Sequence, residues 1–346
     1  MGISRPYGTV SNRSRIGIST VPGGVSTSNS TFNFTAGGAL DSRITFTRAS
    51  AAWHWNSAGA NTQVATNIAR ANANQDYNPT TLAPRGFLIE EARTNLLLNS
   101  TTLATQDVTV TAVQHTLSFY GTGTITLSGA STAGPLVGTG ATNLVQLTFT
   151  PSAGTLTCTV TGTVTLANLS IGAFATSRIV TAGTQVTRAV DNATITSLPS
   201  IGWNAAQGTI YVEFMLEGVG GANTPRVLAI NDGTATNEMR LLVEDGAADL
   251  IRFIVVVGGV TQANVNTTVA ASALTLYKTA ISWNTNSFRA VVNGTAGTED
   301  TSGTLPTVSQ INIGRELTTQ YLNGWIPTLS YYPYQMTNAQ MIALTS

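Results

Sequence analysis

The chain has 346 residues, 9% of them charged, with 16 basic and 16 acidic side chains and therefore no net charge. Such a chain lacks the basic field of a nucleic-acid binder, and 42% hydrophobic content sets it apart from disordered sequences. One cysteine, Cys158, and two histidines, His54 and His115, exclude a disulfide framework and a Cys-cluster zinc site, and leave little for a His-based metal centre or triad base.

Residues 1–40 are rich in Gly, Ser, Thr and Asn and carry Arg5, Arg13 and Arg15 before the first carboxylate, Asp41. They read as an extended arm that serves attachment to a larger particle and contributes nothing to folding. They contain no apolar signal core, and no apolar run in the chain reaches the roughly 18 residues of a membrane span. Synthesis in a cytoplasm and no membrane insertion are expected.

Residues 41–99 form a distinct module. Ile44-Thr45-Phe46-Thr47 alternates as a short strand. Ala51-Ala52-Trp53-His54-Trp55-Asn56 brings two of the five tryptophans. Asn74 to Pro79 is a turn cluster, and the module closes on Arg85 to Leu97. Residues 100–180 change character, for Val108 to Ser177 contains no Asp, Glu, Lys or Arg. Thr alternates there with Val, Ile and Leu in Val108–Thr111, Thr124–Leu127, Leu147–Thr150, Thr157–Thr161 and Thr163–Leu166. Period 2 with β-branched residues is strand chemistry, and Gly, Pro or Ser between the runs predicts a small β-sandwich. Cys158 falls on its apolar face as a buried, inert thiol. Residues 181–200 read as a linker.

Residues 201–346 read as strands at Thr209–Glu217, Arg226–Ile230, Met239–Glu244, Ile251–Val257, Tyr277–Trp283, Phe288–Asn293, Ile311–Gly314 and Gly324–Tyr332. Ile251–Val257 is nearly continuous in apolar character, which predicts burial on both faces. Thr337-Asn338-Ala339-Gln340 fits a capping box opening one short helix. The expected fold class is all-β with very little helix.

Gly86-Phe87-Leu88-Ile89-Glu90-Glu91-Ala92-Arg93-Thr94-Asn95-Leu96, preceded by Ile44-Thr45-Phe46-Thr47-Arg48-Ala49-Ser50, resembles a module of tailed-bacteriophage fibre and spike proteins. Leu117 to Gly129 looks like a β-domain that often follows it. The last third is similar to the concanavalin A-like jelly roll of the laminin-G type, in Ile281-Ser282-Trp283-Asn284, Val291-Val292-Asn293-Gly294, Ile311-Asn312-Ile313-Gly314-Arg315, Gly324-Trp325-Ile326 and Tyr332-Pro333. These resemblances imply a head or tail fibre or spike on the virion surface, assembled in the host bacterial cytoplasm. Its partners would be capsid, portal-neck or tail proteins and a host-surface glycan. A homotrimer is the usual state of such fibres, and uncharged Thr and Asn can meet across symmetry mates without like-charge repulsion.

The acidic residues give no catalytic pattern. Concanavalin A-like glucanases place carboxylates at alternate strand positions, whereas Glu213 and Glu217 are four apart, about 13 Å on an extended strand. That exceeds even the roughly 6.5–9.5 Å of an inverting pair. Glu244 and Asp245 are adjacent and point to opposite faces. Glu90, Glu91, Arg93 and Arg48 are expected to form structural ion pairs. Laminin-G-like domains suggest calcium, with Asn231, Asp232 and Asp245 as oxygen ligands in turns; no other cofactor is expected. Aromatic residues are the functional lead, because flat rings suit sugar faces, and Trp53, Trp55, Trp203, Trp283, Trp325, Tyr331, Tyr332 and Tyr334 are available. Trp283 is expected in the core. Tyr331, Tyr332 and Tyr334, with Trp325, are the candidate carbohydrate contacts for a neutral or weakly charged glycan. The expected function is non-enzymatic adhesion to a host-surface glycan. The alternatives are a capsid decoration protein with no ligand and a polysaccharide-degrading tailspike.

Overall fold

The computed structural model describes residues 30–220, 224–246 and 248–346. Arg5, Arg13 and Arg15 lie outside them. The described chain is nearly all strand, as its alternating patterns require, with one α-helix, Asn338–Thr345. Thr337 caps that helix with the full reciprocal capping box to Gln340. The strands build two sandwiches.

In the larger sandwich, one sheet runs in the order Thr295–Ala296, Ser287–Val292, Tyr277–Asn284, Gln207–Leu216, Gly324–Tyr332, Pro84–Ile89 and Asp76–Tyr77. Ser30–Asn33 also pairs with Gly324–Tyr332. The facing sheet runs Ile44–Thr47, Asn192–Ile195, Gln310–Ile313, Arg226–Asn231, Glu238–Val243, Leu250–Val257 and Val260–Ala270. Val212, Phe214 and Leu216 from the first sheet and Leu228, Ile230, Leu241 and Phe253 from the second fill the space between, all 0–1% exposed. The smaller sandwich packs Thr124–Gly129, Gly154–Thr161 and Gln106–Val110 with the short Leu136–Val137 against Gly140–Phe149, His115–Gly121 and Val164–Ile171. Leu117, Phe119, Ile125, Leu156 and Leu169 are its centre. Cys158 is buried there, and burial raises its thiol pKa to about 11.

Several expected boundaries are redrawn. Residues 181–200 are no linker: Val186–Arg188 pairs with Arg93–Asn95, and Asn192–Ile195 is an interior strand of the larger sandwich. The 41–99 module contributes strands to both sheets of that sandwich rather than standing apart. The arm ends earlier than residue 40, because Phe32 and Phe34 are 3% and 1% exposed in the main core. Leu250–Val257 buries Ile251, Phe253 and Val255 on one face, while on the other Arg252 and Ile254 are half-buried and only Val256 is buried. Val260–Ala270 escaped the sequence pattern because Thr and Asn dilute its apolar alternation.

Gly86 explains part of the fibre-like motif. It sits at φ +90°, and a Cβ there would lie 2.6 Å from the Ile326 carbonyl oxygen. Only glycine permits both the left-handed backbone and the close approach.

At the junction of the two sandwiches lies a cluster of buried charge. Arg48 meets Asp191 at 3.0 Å, Arg70 meets Glu90 at 2.6 Å and Asp191 at 2.5 Å, and Arg188 meets Glu90 at 2.9 Å, with side chains 0–1% exposed. Asp191 also accepts the Glu90 backbone N–H at 3.0 Å. Glu91 pairs instead with Arg93 at 2.8 Å. Removing one member of a buried pair costs about 3–5 kcal/mol, because the other charge is left uncompensated. Asp191→Ala is therefore expected to lower unfolding free energy in urea by about that amount. Asp41→Ala removes the partly exposed Arg43–Asp41 pair and the Asp41 bond to the Arg43 N–H and is expected to cost about 1 kcal/mol or less. Similar losses for the two variants would refute the assignment.

Candidate functional site

A cavity of about 370 Å³ opens between the hairpin Ala52–Trp55/Asn61–Val64, the smaller sandwich and the edge of the larger one. That volume lies within the range of small-ligand sites, about 300–1,000 Å³. Strand alternation dictates the hairpin's part. Ala52 and His54 are buried on one face, so Trp53 and Trp55 share the other, half-buried. The Trp55 ring meets Tyr120 edge-on at 5.4 Å. The Arg178 guanidinium lies 4.1 Å from the centre of the Trp53 ring, and Arg85 lies 4.5 Å from that of Trp325. Four aromatic side chains and two cations therefore line one cavity.

Asp76 fixes much of this geometry. One of its oxygens accepts the Trp55 backbone N–H at 2.8 Å, and the other accepts the Trp325 indole N–H at 2.9 Å. Arg85 lies 3.6 Å from that second oxygen. Burial raises the Asp76 pKa to about 6, against the pull of those donors. Glu217 also lines the cavity, hydrogen-bonded to Glu90; burial and then the Glu90 charge raise its pKa well above the usual carboxylate range. Glu90 moves the opposite way, to about 2, because Arg188, Arg70 and Ser177 outweigh its desolvation.

The cavity wall holds several buried polar atoms that have no hydrogen-bond partner among the described residues. They are Asn61 Oδ1, Asn168 Oδ1, Arg178 Nε and Glu217 Oε2. An unmet buried polar group costs about 1–3 kcal/mol. Buried polar atoms left unmet by the protein are ordinarily met by water or an ion.

Of the sequence-derived carbohydrate candidates, the structure brings only Trp325 to this cavity. Tyr331 is 1% exposed and belongs to the core, stacked 5.1 Å from Trp203, with Trp283 fully buried beside them. Its hydroxyl accepts the Asn204 N–H at 2.7 Å. Tyr332 packs beneath the terminal helix with Met336 and Met341, and Tyr334 lies edge-on to it at 6.0 Å. The strand carries Tyr331 inward, and the terminal helix covers the opposite face. Tyr120, Asp76, Arg85 and Arg178 were missed. Arg178 had one signal: it is the first charge after the uncharged run from Val108 to Ser177.

The calcium ligands do not converge. Asp232 accepts the Thr234 N–H and hydroxyl at 2.9 and 2.6 Å and the Asn237 side chain at 2.9 Å. Asn231 Oδ1 accepts from Gly233 and Gln310. These oxygens close a turn rather than a coordination shell. Glu213 and Glu217 likewise separate, Glu213 accepting the Tyr211 hydroxyl at 2.6 Å while Glu217 joins Glu90.

No protein-family model matches the chain, and no curated protein matches it. Among solved structures it is similar to the CBM40 domain of the Ruminococcus gnavus IT-sialidase bound to alpha2,3 sialyllactose. The identity is 14% and the TM-score 0.35, over 41% of this chain and 84% of that one. It is also similar to domain 4 of AbnA, a GH43 extracellular arabinanase from Geobacillus stearothermophilus in complex with arabinotriose. Here the identity is 10% and the TM-score 0.37, over 45% and 73%. A third likeness is the heptameric SAP-like pentraxin from Limulus polyphemus, at 13% identity and a TM-score of 0.32, over 41% and 70%. These likenesses are partial and distant; the all-β fold stands on the strand order described above.

Two outcomes follow from this geometry. A folded-state pKa near 6 lies above the ordinary Asp value of 3.8, so the folded protein binds the proton more tightly. The stability Asp76 contributes is then full below about pH 4 and lost as pH rises through about 6. The Trp325 indole N–H resonance should shift with that midpoint in an NMR titration, and a midpoint near 4 would overturn the assignment. Tyr331→Ala should destabilise by about 3–5 kcal/mol, as for other large core aromatics. A variant that unfolds at the parent's urea midpoint would remove Tyr331 from the core.

Proposed function

We propose that the chain binds glycan, without catalysis, in the cavity walled by Trp53, Trp55, Tyr120 and Trp325. The observation that carries this reading is the coincidence of aromatic faces with unmet hydrogen-bonding atoms in one cavity. A sugar ring offers both complements: apolar C–H faces for the rings and hydroxyls for the polar atoms. The carboxyl groups nearby favour binding over hydrolysis. Both Asp76 oxygens already hold the Trp55 and Trp325 donors, and Glu217 is tied to Glu90. Burial of apolar sugar surface at about 25 cal/mol per Å² gives weak affinity per site once association entropy is subtracted. The resemblance of Gly86 to Leu96 to fibre and spike modules supplies the setting we propose, a component of a tailed-phage virion surface. Several copies per particle would raise avidity there by about 10²–10⁴.

The test is a glycan array probed with the full chain, followed by Trp53→Ala and Trp55→Ala. Both rings are half-buried, so melting temperature should change little, while affinity for the best glycan falls about tenfold or more. Parent-like binding by both variants would remove the cavity from the reading. Absence of the chain from labelled virions would remove the phage setting and leave the glycan site in place.

A further inference from the structure

We propose that the cavity selects a carboxylate-bearing sugar, a uronic or nonulosonic acid residue, whose carboxylate pairs with Arg178 over the face of Trp53. This rests on the glycan-binding reading of the same cavity and adds its ligand class. It narrows the neutral or weakly charged glycan expected from the sequence to a charged one.

Of the two arginines that line the cavity, Arg178 is the one that the fold leaves without a counter-charge. Arg48, Arg70, Arg85 and Arg188 each have a carboxylate within 3.6 Å. No ion pair forms at Arg178 among the described residues; its guanidinium is half-buried against the Trp53 ring, with Tyr120 as a further neighbour. The two carboxyl groups that line the cavity are committed elsewhere. Asp76 holds Trp55, Trp325 and Arg85. Glu217 is hydrogen-bonded to Glu90 and raised toward its neutral form. Behind the wall, three guanidinium groups, those of Arg48, Arg70 and Arg188, face the two carboxylates of Glu90 and Asp191. Burial lowers the Arg178 pKa only to about 10, so the guanidinium is charged at neutral pH.

A neutral sugar seated here would take water from Arg178 and offer no charge in return. A carboxylate offers a planar partner for the planar guanidinium, the geometry in which arginine binds best. The other unmet atoms fit the rest of a sugar acid. Asn61 Oδ1 and Asn168 Oδ1 are acceptors without donors. Two acceptors suit hydroxyl groups, and one unpaired cation suits one carboxylate.

The experiment titrates the full chain with an acidic oligosaccharide, its carboxyl-reduced form and a sulfated counterpart, with uronic and nonulosonic acids as separate arms. The expected result is carboxylate binding at least about tenfold tighter than the reduced form, and tighter than the sulfated one. Arg178→Gln should erase that difference while still binding the reduced sugar. Arg178→Lys should keep a smaller preference, because the charge remains and the fork is lost. Equal binding of acid and reduced forms by the parent, or a preference for sulfate, overturns this inference and spares the glycan site. Binding of no oligosaccharide overturns both.

Discussion

The buried ion cluster of Arg48, Arg70, Arg188, Glu90 and Asp191 is the constraint on which the remaining architecture depends. Taking these charges out of water costs several kcal/mol per ion, recovered by close pairing and additional hydrogen bonds. The guanidinium groups therefore also reach backbone carbonyls: Arg48 at Ala65 and Ile68, Arg70 at Trp53 and Arg188 at Glu91. Arg48 thereby ties the 65–68 segment, and Arg70 the strand Ala52–Trp55, to the cluster. Segments separated by 143 residues, as Arg48 and Asp191 are, are held in one place by this requirement.

The same cluster assembles the cavity. Arg70 donates to the Trp53 carbonyl oxygen at 3.2 Å. Ser177 donates its backbone N–H and hydroxyl to the two Glu90 oxygens at 2.7 and 2.6 Å. Arg178 is the next residue. Both halves of the Arg178–Trp53 stack are thus anchored on neighbouring members of one network. Glu90 directly follows the strand Pro84–Ile89, whose partners carry Asp76 and Trp325. Wall and floor of the site descend from the same few charges, so the ring faces are set before any ligand arrives and little ordering entropy remains to oppose binding.

Period-2 alternation made the larger strands legible. Gly324–Tyr332 was placed with its observed bounds, and the other candidates after residue 200 within about two residues of theirs. The pattern says which residues share a face; it does not say what covers that face. Tyr331 and Tyr332 show the difference, one entering the main core and the other lying under the terminal helix. Sheet partnership was equally hidden. Asn192–Ile195 is only four residues long, and its partners lie more than 100 residues away in sequence. Trp53 and Trp55 were visible as aromatic candidates, but their relation to Arg178 and Tyr120 is tertiary and leaves no local trace.

A chain with only 9% charged residues concentrates unusual meaning in each charge. Buried pairs give little net stability relative to apolar replacements of the same shape, and their best-attested value is in specifying one arrangement among several. Apolar side chains at the Arg48, Arg70 and Arg188 positions could slide against one another; guanidinium forks against two carboxylates cannot without leaving a bare charge. The junction between the two sandwiches is thereby fixed in register without a large apolar interface. Arg178 follows the opposite logic at the edge of the same junction. Its neighbours satisfy their charges internally, and it stands against an indole face with none. A fold that pairs its other cavity and junction arginines so thoroughly leaves this one for a ligand, and the direction of that charge decides what the ligand must carry.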